Sequence, residues 1–505
     1  MSEAAAAVEL RGIDKRFGAV EANRAVSLSL ERGTIHGLIG ENGAGKSTLA
    51  HILYGYLTPD AGEIRIDGRP AAIRSPRDAM AAGIGMVHQH FMLVETMSVL
   101  ENLMLGQERG LTLARGEAAA HASLAAFARG HDARLDPEAL VGGLPVGLKQ
   151  RVEILKALHR GAEILILDEP TAVLTPIEVQ ALFDELQALA RAGKTILLVT
   201  HKLKEVMAIT DAVTVMRHGR VVARCETQST TPAELAALMI GRAPQPPAKP
   251  PAAAGAPVLE LDAATLIDAE GVTRLDGVSL CVRAGEIVGV AGVAGNGQSE
   301  LIEALVGLRP LRAGAIRLGG SDMTALSVAA RRRRGLGHIP EDRLRLGAVA
   351  TFSAVENALL GRQADADCAR YGLLRSAGIR ATLDAWMRAY DIRPPDPQQR
   401  FARLSGGNQQ KLVAARELER GPTALVVGQP TRGVDIGAAE LIHARLLALR
   451  ARGAGILLIS ADLDEIRLLA DRILVMCGGR ITGEVSAEAA DERGLSLLMA
   501  GAEAA

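Results

Sequence analysis

The amino-acid sequence predicts an α/β fold used twice in tandem, each copy a mostly parallel sheet core with a helical subdomain. Three observations carry that prediction. At 505 residues the chain exceeds one ordinary core. It repeats itself: VSLSLERGTIHGLIGENGAGKSTL from residue 26 returns from residue 278 as VSLCVRAGEIVGVAGVAGNGQSEL. Within each half, short uninterrupted apolar runs such as 164–167 and 196–199 alternate with helical patterns, the mark of parallel strands buried on both faces.

The first domain is read as 1–241. An apolar strand over 35–39 leads into Gly40-Glu41-Asn42-Gly43-Ala44-Gly45-Lys46-Ser47-Thr48, a full match to G-x-x-x-x-G-K-[ST] in its proper strand-to-helix context. Glycines let backbone N–H groups turn inward around phosphate oxygens. Lys46 supplies a point charge for the β- and γ-phosphates and Ser47 a hydroxyl for Mg²⁺. An alanine-rich helical region (117–129) follows. A second apolar strand, 165–167, ends in Asp168 and Glu169. Asp168 is placed to hold Mg²⁺ and Glu169 to orient or deprotonate an attacking water. A third strand over 196–199 precedes His201.

Residues 242–257, RAPQPPAKPPAAAGAP, read as an extended, semi-rigid linker, because proline this dense stops helix and strand alike. The second domain is read as 258–505. LPVGLKQRVEILKAL at 144 returns there as LSGGNQQKLVAAREL at 404, and EILILDEPTAVLT at 163 as TALVVGQPTRGVD at 423. The run 331–334, four consecutive arginines, reads as a solvated helix end without function.

Composition narrows the class. A net charge of −1 provides no electrostatic footprint for nucleic acid. Four scattered cysteines form no metal-ligand spacing and fit a reducing compartment. The N-terminus lacks the basic-then-apolar order of a signal peptide, and no run of about 18 apolar residues predicts a membrane span. A pore, if this chain serves one, belongs to another chain.

Taken together, the phosphate loop, Asp168-Glu169, His201 and Leu404-Ser405-Gly406-Gly407-Asn408 resemble the ABC ATPase family over nearly the whole chain. The L-S-G-G-x-Q signature is read with Asn408 as its last residue. The resemblance implies ATP and Mg²⁺ as ligands. It implies head-to-tail pairing, with ATP between one half's phosphate loop and the other half's signature. It assigns Phe17 to stack on adenine, Gln89 as the Q-loop metal ligand, His201 as the switch histidine and Asp435 as the D-loop aspartate.

The two halves differ in a sorted way. Lys46 corresponds to Gln298, Asp168-Glu169 to Gly428-Gln429, Gln89 to Glu341, His201 to Ala461 and Phe17 to Ala269. The losses in the signature run the other way: Pro145 stands where the second half has Ser405, and Thr175 where it has Asp435. Paired head to tail, every good element faces a good one, so one composite site is expected to hydrolyse ATP.

Fused halves, one degenerate site, GNGQSE and the motif PEDR at 340–343 resemble the bacterial simple-sugar and nucleoside importers. That resemblance implies two integral-membrane permease subunits, an extracytoplasmic substrate-binding protein and a peripheral position on the cytoplasmic face of the membrane. MVHQHFMLV at 86–94 and VGGLPVGLKQRVEILKAL at 141–158 resemble the nucleoside branch, with simple sugars the alternative. The segment 91–105 is a candidate surface for permease docking. Ribosome-bound translation factors also fuse two such halves, but they keep both sites intact and use a long charged helical linker.

Overall fold

The computed structural model describes residues 6–18, 20–88, 91–106, 114–128, 135–171, 174, 176–245, 247–251, 254–292, 295–363, 365–371, 373–487, 490 and 492–499. The chain separates into two compact units, Met1–Pro244 and Gln245–Ala505.

Each unit has the same plan. In the first, a parallel sheet runs in the order Ile84–Val87, Ile164–Asp168, Thr195–Thr200, Ile35–Gly40, Ala212–Arg217, with Arg220–Glu226 added antiparallel at the edge. The strands 35–40, 84–87, 164–168 and 195–200 are buried at every position, which is why they read as continuous apolar runs. A second, antiparallel sheet pairs Val8–Phe17 with Val20–Leu30 and Ala61–Ile66. Between the two sheets lie Leu10, Ile13, Leu49, Leu53 and Ile166. A separate small core, built around Val99, Leu103, Leu124, Val141, Val152 and Leu155, marks the helical subdomain. Its helices are Val99–Met104, Ala114–Ala128 and Val146–His159.

The second unit repeats this with strands Leu336–Ile339, Ala424–Gly428, Gly455–Ile459, Ile287–Ala291, Arg472–Cys477 and Arg480–Ser486 in the equivalent order. The segment before it contains no helix or strand between Ile240 and Pro257 among the described residues, as its prolines dictate. It is nevertheless pinned to the second unit. Lys249 pairs with Asp471 at 3.2 Å, and Arg450 donates to the Pro250 carbonyl at 2.8 Å.

One expectation is overturned in part. The arginine run is only in part a solvated end: Arg333 and Arg334 are exposed, whereas Arg331 and Arg332 turn inward. Arg331 is buried and donates to the carbonyls of Ala304, Leu305, Leu326 and Thr324 at 2.6–3.0 Å. Arg332 reaches the fully buried Glu417 at 2.9 Å, which Arg416 also contacts at 3.0 Å. A guanidinium carries five donors in a plane, so one can satisfy several otherwise unpaired carbonyls at once.

Candidate functional site

The strand Ile35–Gly40 lies in the middle of the sheet and delivers the phosphate loop to the carboxyl ends of its neighbours. Glycine is obligatory at two points of the loop. A Cβ on Gly45 (φ 98°) would lie 2.2 Å from the Ala22 carbonyl oxygen, and one on Gly40 2.3 Å from that of Met216. Gly43 also has positive φ but faces open space. The Ala44 N–H closes a turn on the Glu41 carbonyl at 3.0 Å, and Asn42 lies within that turn. Gly45 then starts the helix Lys46–Leu53, whose first residues are Lys46, Ser47 and Thr48. The N–H groups at the N-terminus of such a helix suit an anion.

Lys46 is buried, and its ammonium donates to the carbonyls of Gly40 at 2.8 Å and Glu41 at 3.1 Å. Burial lowers its pKa, against the opposing pull of Glu169, Asp168 and Glu41. Ser47 Oγ donates to Asp168 Oδ1 at 3.4 Å. Burial raises the Asp168 pKa, a tendency that the Ser47 hydrogen bond only partly offsets. A hydroxyl and a carboxylate at this separation are the oxygen donors that Mg²⁺ takes, so the residues present fit that ion.

Glu169 follows directly, in the left-handed region at φ 49°. Its N–H donates to the Val199 carbonyl at 2.9 Å, which ties it to the neighbouring strand. Its Oε1 meets His201 Nδ1 at 2.7 Å. Burial would raise the Glu169 pKa, but the hydrogen bond and charge of His201, with Lys46 and Lys202, outweigh it and hold the pKa below the usual carboxylate value. The carboxylate is therefore ionised and able to accept a proton near neutral pH. Phe17 ends its strand half exposed, with Lys15 Nζ 5.8 Å from the ring centroid. Gln89 and Thr175 lie outside the described residues.

One buried residue beside the site has no sequence signal of its own. Glu205, buried on the helix Leu203–Ile209, accepts from the hydroxyls of Thr200, at 3.1 Å, and Thr171. It thereby ties together the strand ends that carry Glu169 and His201.

The second unit keeps the backbone of this site but not its lysine, strand-end carboxylates or histidine. Gln429 sits at φ 47° and its N–H donates to the Ile459 carbonyl at 2.8 Å, as that of Glu169 does to Val199. Its Oε1 accepts the Ala461 N–H at 3.2 Å, a backbone group where the first unit has an imidazole. Ser299 Oγ donates to Glu341 at 2.6 Å instead of to an aspartate. Gln298 occupies the Lys46 position, close enough to Gly292 that a Cβ there would lie 2.2 Å from its Nε2. Strand register corrects one equivalence. Val8 pairs with Leu30 and Leu259 with Val282, so the hairpin is one residue longer in the second unit and Phe17 matches Asp268 rather than Ala269. Asp268 is not aromatic either, and its side chain accepts from the N–H groups of Glu270 and Val272.

The signature residues of the second unit form one surface. Ser405 caps the helix Gly406–Leu418, and Asn408 Nδ2 donates to Ser405 Oγ at 2.7 Å. A Cβ on Gly407 would lie 2.9 Å from Asp435 Oδ2, and Asp435 caps Ile436–Ala451 through the Ala438 N–H at 2.7 Å. The last residue of L-S-G-G-x-Q is Gln409, not Asn408, and Gln409 is buried with Nε2 donating to the Phe401 carbonyl at 3.1 Å. In the first unit, Pro145 begins the corresponding helix with no side-chain cap.

The family model described as ABC transporter matches residues 23–172 and again 275–432. The chain belongs to the ABC transporter family. This ABC chain is 43% identical over 497 residues to the nucleoside import ATP-binding protein NupA of Lactococcus lactis, covering 98% of each. It is 44% identical over 495 residues to the guanosine import ATP-binding protein NupO of Bacillus subtilis, covering 98% of this chain and 97% of the relative. It is 42% identical over 508 residues to a ribose import ATP-binding protein of Rubrobacter xylanophilus, covering 99% of each. Membership makes it an ATP-binding hydrolase, and no helix among its described residues is long and apolar enough to cross a membrane.

Proposed function

We propose that this ABC chain is the ATP-hydrolysing subunit of a bacterial importer for nucleosides, working with two permease subunits and an extracytoplasmic binding protein. The observation that carries the cargo is identity of 43–44% along 98% of the chain to nucleoside and guanosine import proteins. Simple sugars are the second reading, supported by the ribose import relative at 42%. In this role the chain sits against the permeases at the cytoplasmic face of the membrane.

The chemistry assigned to the first unit follows from its groups. The phosphate loop and Lys46 bind and orient the triphosphate. Ser47 and Asp168, with Gln89, would hold Mg²⁺, which when bound shields and polarises the phosphate oxygens. Phe17 stacks on the base. Glu169 accepts the proton of the attacking water, and His201 keeps that carboxylate ionised and aimed. Ser405, Gly406, Gly407 and Asp435 complete this site from a second unit's signature surface. The complementary pairing has Gln298, Gly428, Gln429 and Ala461 on one side and Pro145 on the other. It lacks counterparts of Lys46, Asp168, Glu169 and His201, and hydrolyses ATP slowly or not at all.

Uptake tests this reading. Cells carrying the chain or its Glu169→Gln form are given labelled nucleosides and labelled simple sugars. Loss of nucleoside uptake alone in the variant is expected. Loss of sugar uptake alone would transfer the cargo to the second reading, and unaffected uptake of both would reject the importer role for these substrates.

A further inference from the structure

We propose that Arg343 is a positioning residue for ATP hydrolysis: it locks the signature loop 405–407 to the segment 432–435, so that both are presented as one rigid surface. The inference rests on the proposed pairing of that surface with the first unit's nucleotide-binding groups.

Arg343 is the last residue of the PEDR motif, and its guanidinium joins two other pieces of chain, the start of the helix Gly406–Leu418 and the segment 432–433. Its Nε donates to Gln409 Oε1 at 3.1 Å, and Nη1 donates to the Arg432 carbonyl at 3.0 Å. Its Nη2 lies against Gly406, where a Cβ would sit 2.7 Å from it. The same Cβ would sit 3.0 Å from the Gly433 carbonyl oxygen, so the two loops touch at this point. One residue further on, Gly407 packs on the Asp435 carboxylate. Arg343 is thus the crossbar of a junction between the segment that carries Ser405, Gly406 and Gly407 and the one that carries Asp435.

The crossbar is itself held. Asp342 accepts from the N–H groups of Leu344, at 2.9 Å, and Arg345, at 3.0 Å, and so fixes the backbone turn that launches the arginine. At the far end, Gln409 is buried and donates to the Phe401 carbonyl at 3.1 Å, so its acceptor oxygen cannot drift. A planar fork with donors pointing in different directions suits this task better than a single ammonium does.

The first unit shows what happens where the signature has decayed. The repeat places Phe91 at the position of Arg343, Lys149 at Gln409, Val146 at Gly406 and Pro145 at Ser405. Lys149 turns to Glu95 at 3.3 Å instead. The crossbar, its acceptor and the glycine it covers are absent together, from the half that also lacks the signature serine.

The test uses the full-length chain assembled with its permeases. Arg343→Ala should lower the ATPase kcat about 10–100-fold, the scale of a misplaced but present catalytic group. Binding of a fluorescent ATP analogue should change less than about 3-fold, because uniform binding is supplied by the phosphate loop. Arg343→Lys should recover part of kcat, and Gln409→Leu, which removes one anchor, should lower it about 3–10-fold. Wild-type kcat in Arg343→Ala overturns the proposal. So does a fall in kcat that is matched by the fall in folded fraction; Gln409→Leu decides the matter if Arg343→Ala does not fold. Glu169→Gln, measured in parallel, separates the two readings. If it keeps its activity, the pairing itself fails; if it is inactive while Arg343→Ala is normal, only the crossbar fails.

Discussion

Replacing His201 by alanine removes the 2.7 Å bond from Nδ1 to Glu169 Oε1. Hydrogen bonds to charged groups contribute about 1.5–3 kcal/mol. If that stabilisation serves the reactive arrangement of Glu169, its loss costs about 10–150-fold in kcat. A second consequence is directional. In the native site the His201 bond and charge, together with Lys46 and Lys202, override burial and depress the Glu169 pKa. Without His201, burial is less opposed and the pKa rises. Since the base works in its deprotonated form, the acid limb of the kcat–pH profile should move to higher pH in His201→Ala. The assay is steady-state ATPase of the assembled transporter from about pH 5 to 9, with ATP analogue binding measured alongside. Unchanged kcat, or a uniformly lowered profile whose acid limb has not moved, would refute the assignment. The second unit supplies the control: Ala461 meets Gln429 through its backbone N–H, so substitution there should leave ATPase unchanged.

Two further outcomes follow from local geometry. Gly45→Ala should weaken ATP binding at least about 10-fold, since its Cβ would lie 2.2 Å from the Ala22 carbonyl oxygen. Gly43→Ala, with positive φ but nothing within 4 Å, should cost only about 1–2 kcal/mol of backbone strain; titration with a fluorescent ATP analogue compares the two. His36, buried and hydrogen-bonded to Thr214 at 2.8 Å, has its pKa lowered by burial from the usual 6.5 to about 4. The unfolded chain therefore takes up this proton first, so the stability contribution is complete above pH 6.5 and is lost as pH falls toward 4. The difference is worth about 3 kcal/mol. Denaturant midpoints at pH 7 and pH 4.5 should differ less in His36→Gln than in the parent.

The parts of this molecule that are legible in the sequence are those whose physics is local. Strands buried on both faces announce themselves as apolar runs, and the phosphate loop needs its glycines and Lys46 within nine consecutive residues. The Asp168–Glu169 pair can be read because it ends such a strand. What cannot be read depends on contacts across the chain. Arg343 meets Gln409 and Arg432, 66 and 89 positions away, so PEDR reads as a family marker without a task. Arg331 misleads because four arginines in a row normally face water, and only the fold reveals the open carbonyls that draw this one inward. Glu205 is invisible for the same reason: its threonine partners precede it by 34 and 5 residues, on two different strand ends. The Phe17 equivalence slips by one residue because a hairpin insertion leaves little trace in composition but shifts strand register.

The central claim is that hydrolysis belongs to the site built on Lys46, Asp168, Glu169 and His201, with its counterpart on Gln298, Gly428 and Gln429 inactive. The ATPase rates of the wild-type, Glu169→Gln and Gln429→Glu forms, each assembled with the permeases, test it most directly. The account predicts that Glu169→Gln loses at least about 99% of turnover, the scale of a missing general base. It also predicts that Gln429→Glu adds nothing, because Lys46 and Asp168 still have no counterpart in that unit. Substantial ATPase remaining in Glu169→Gln, or a second active site created by Gln429→Glu alone, would contradict it.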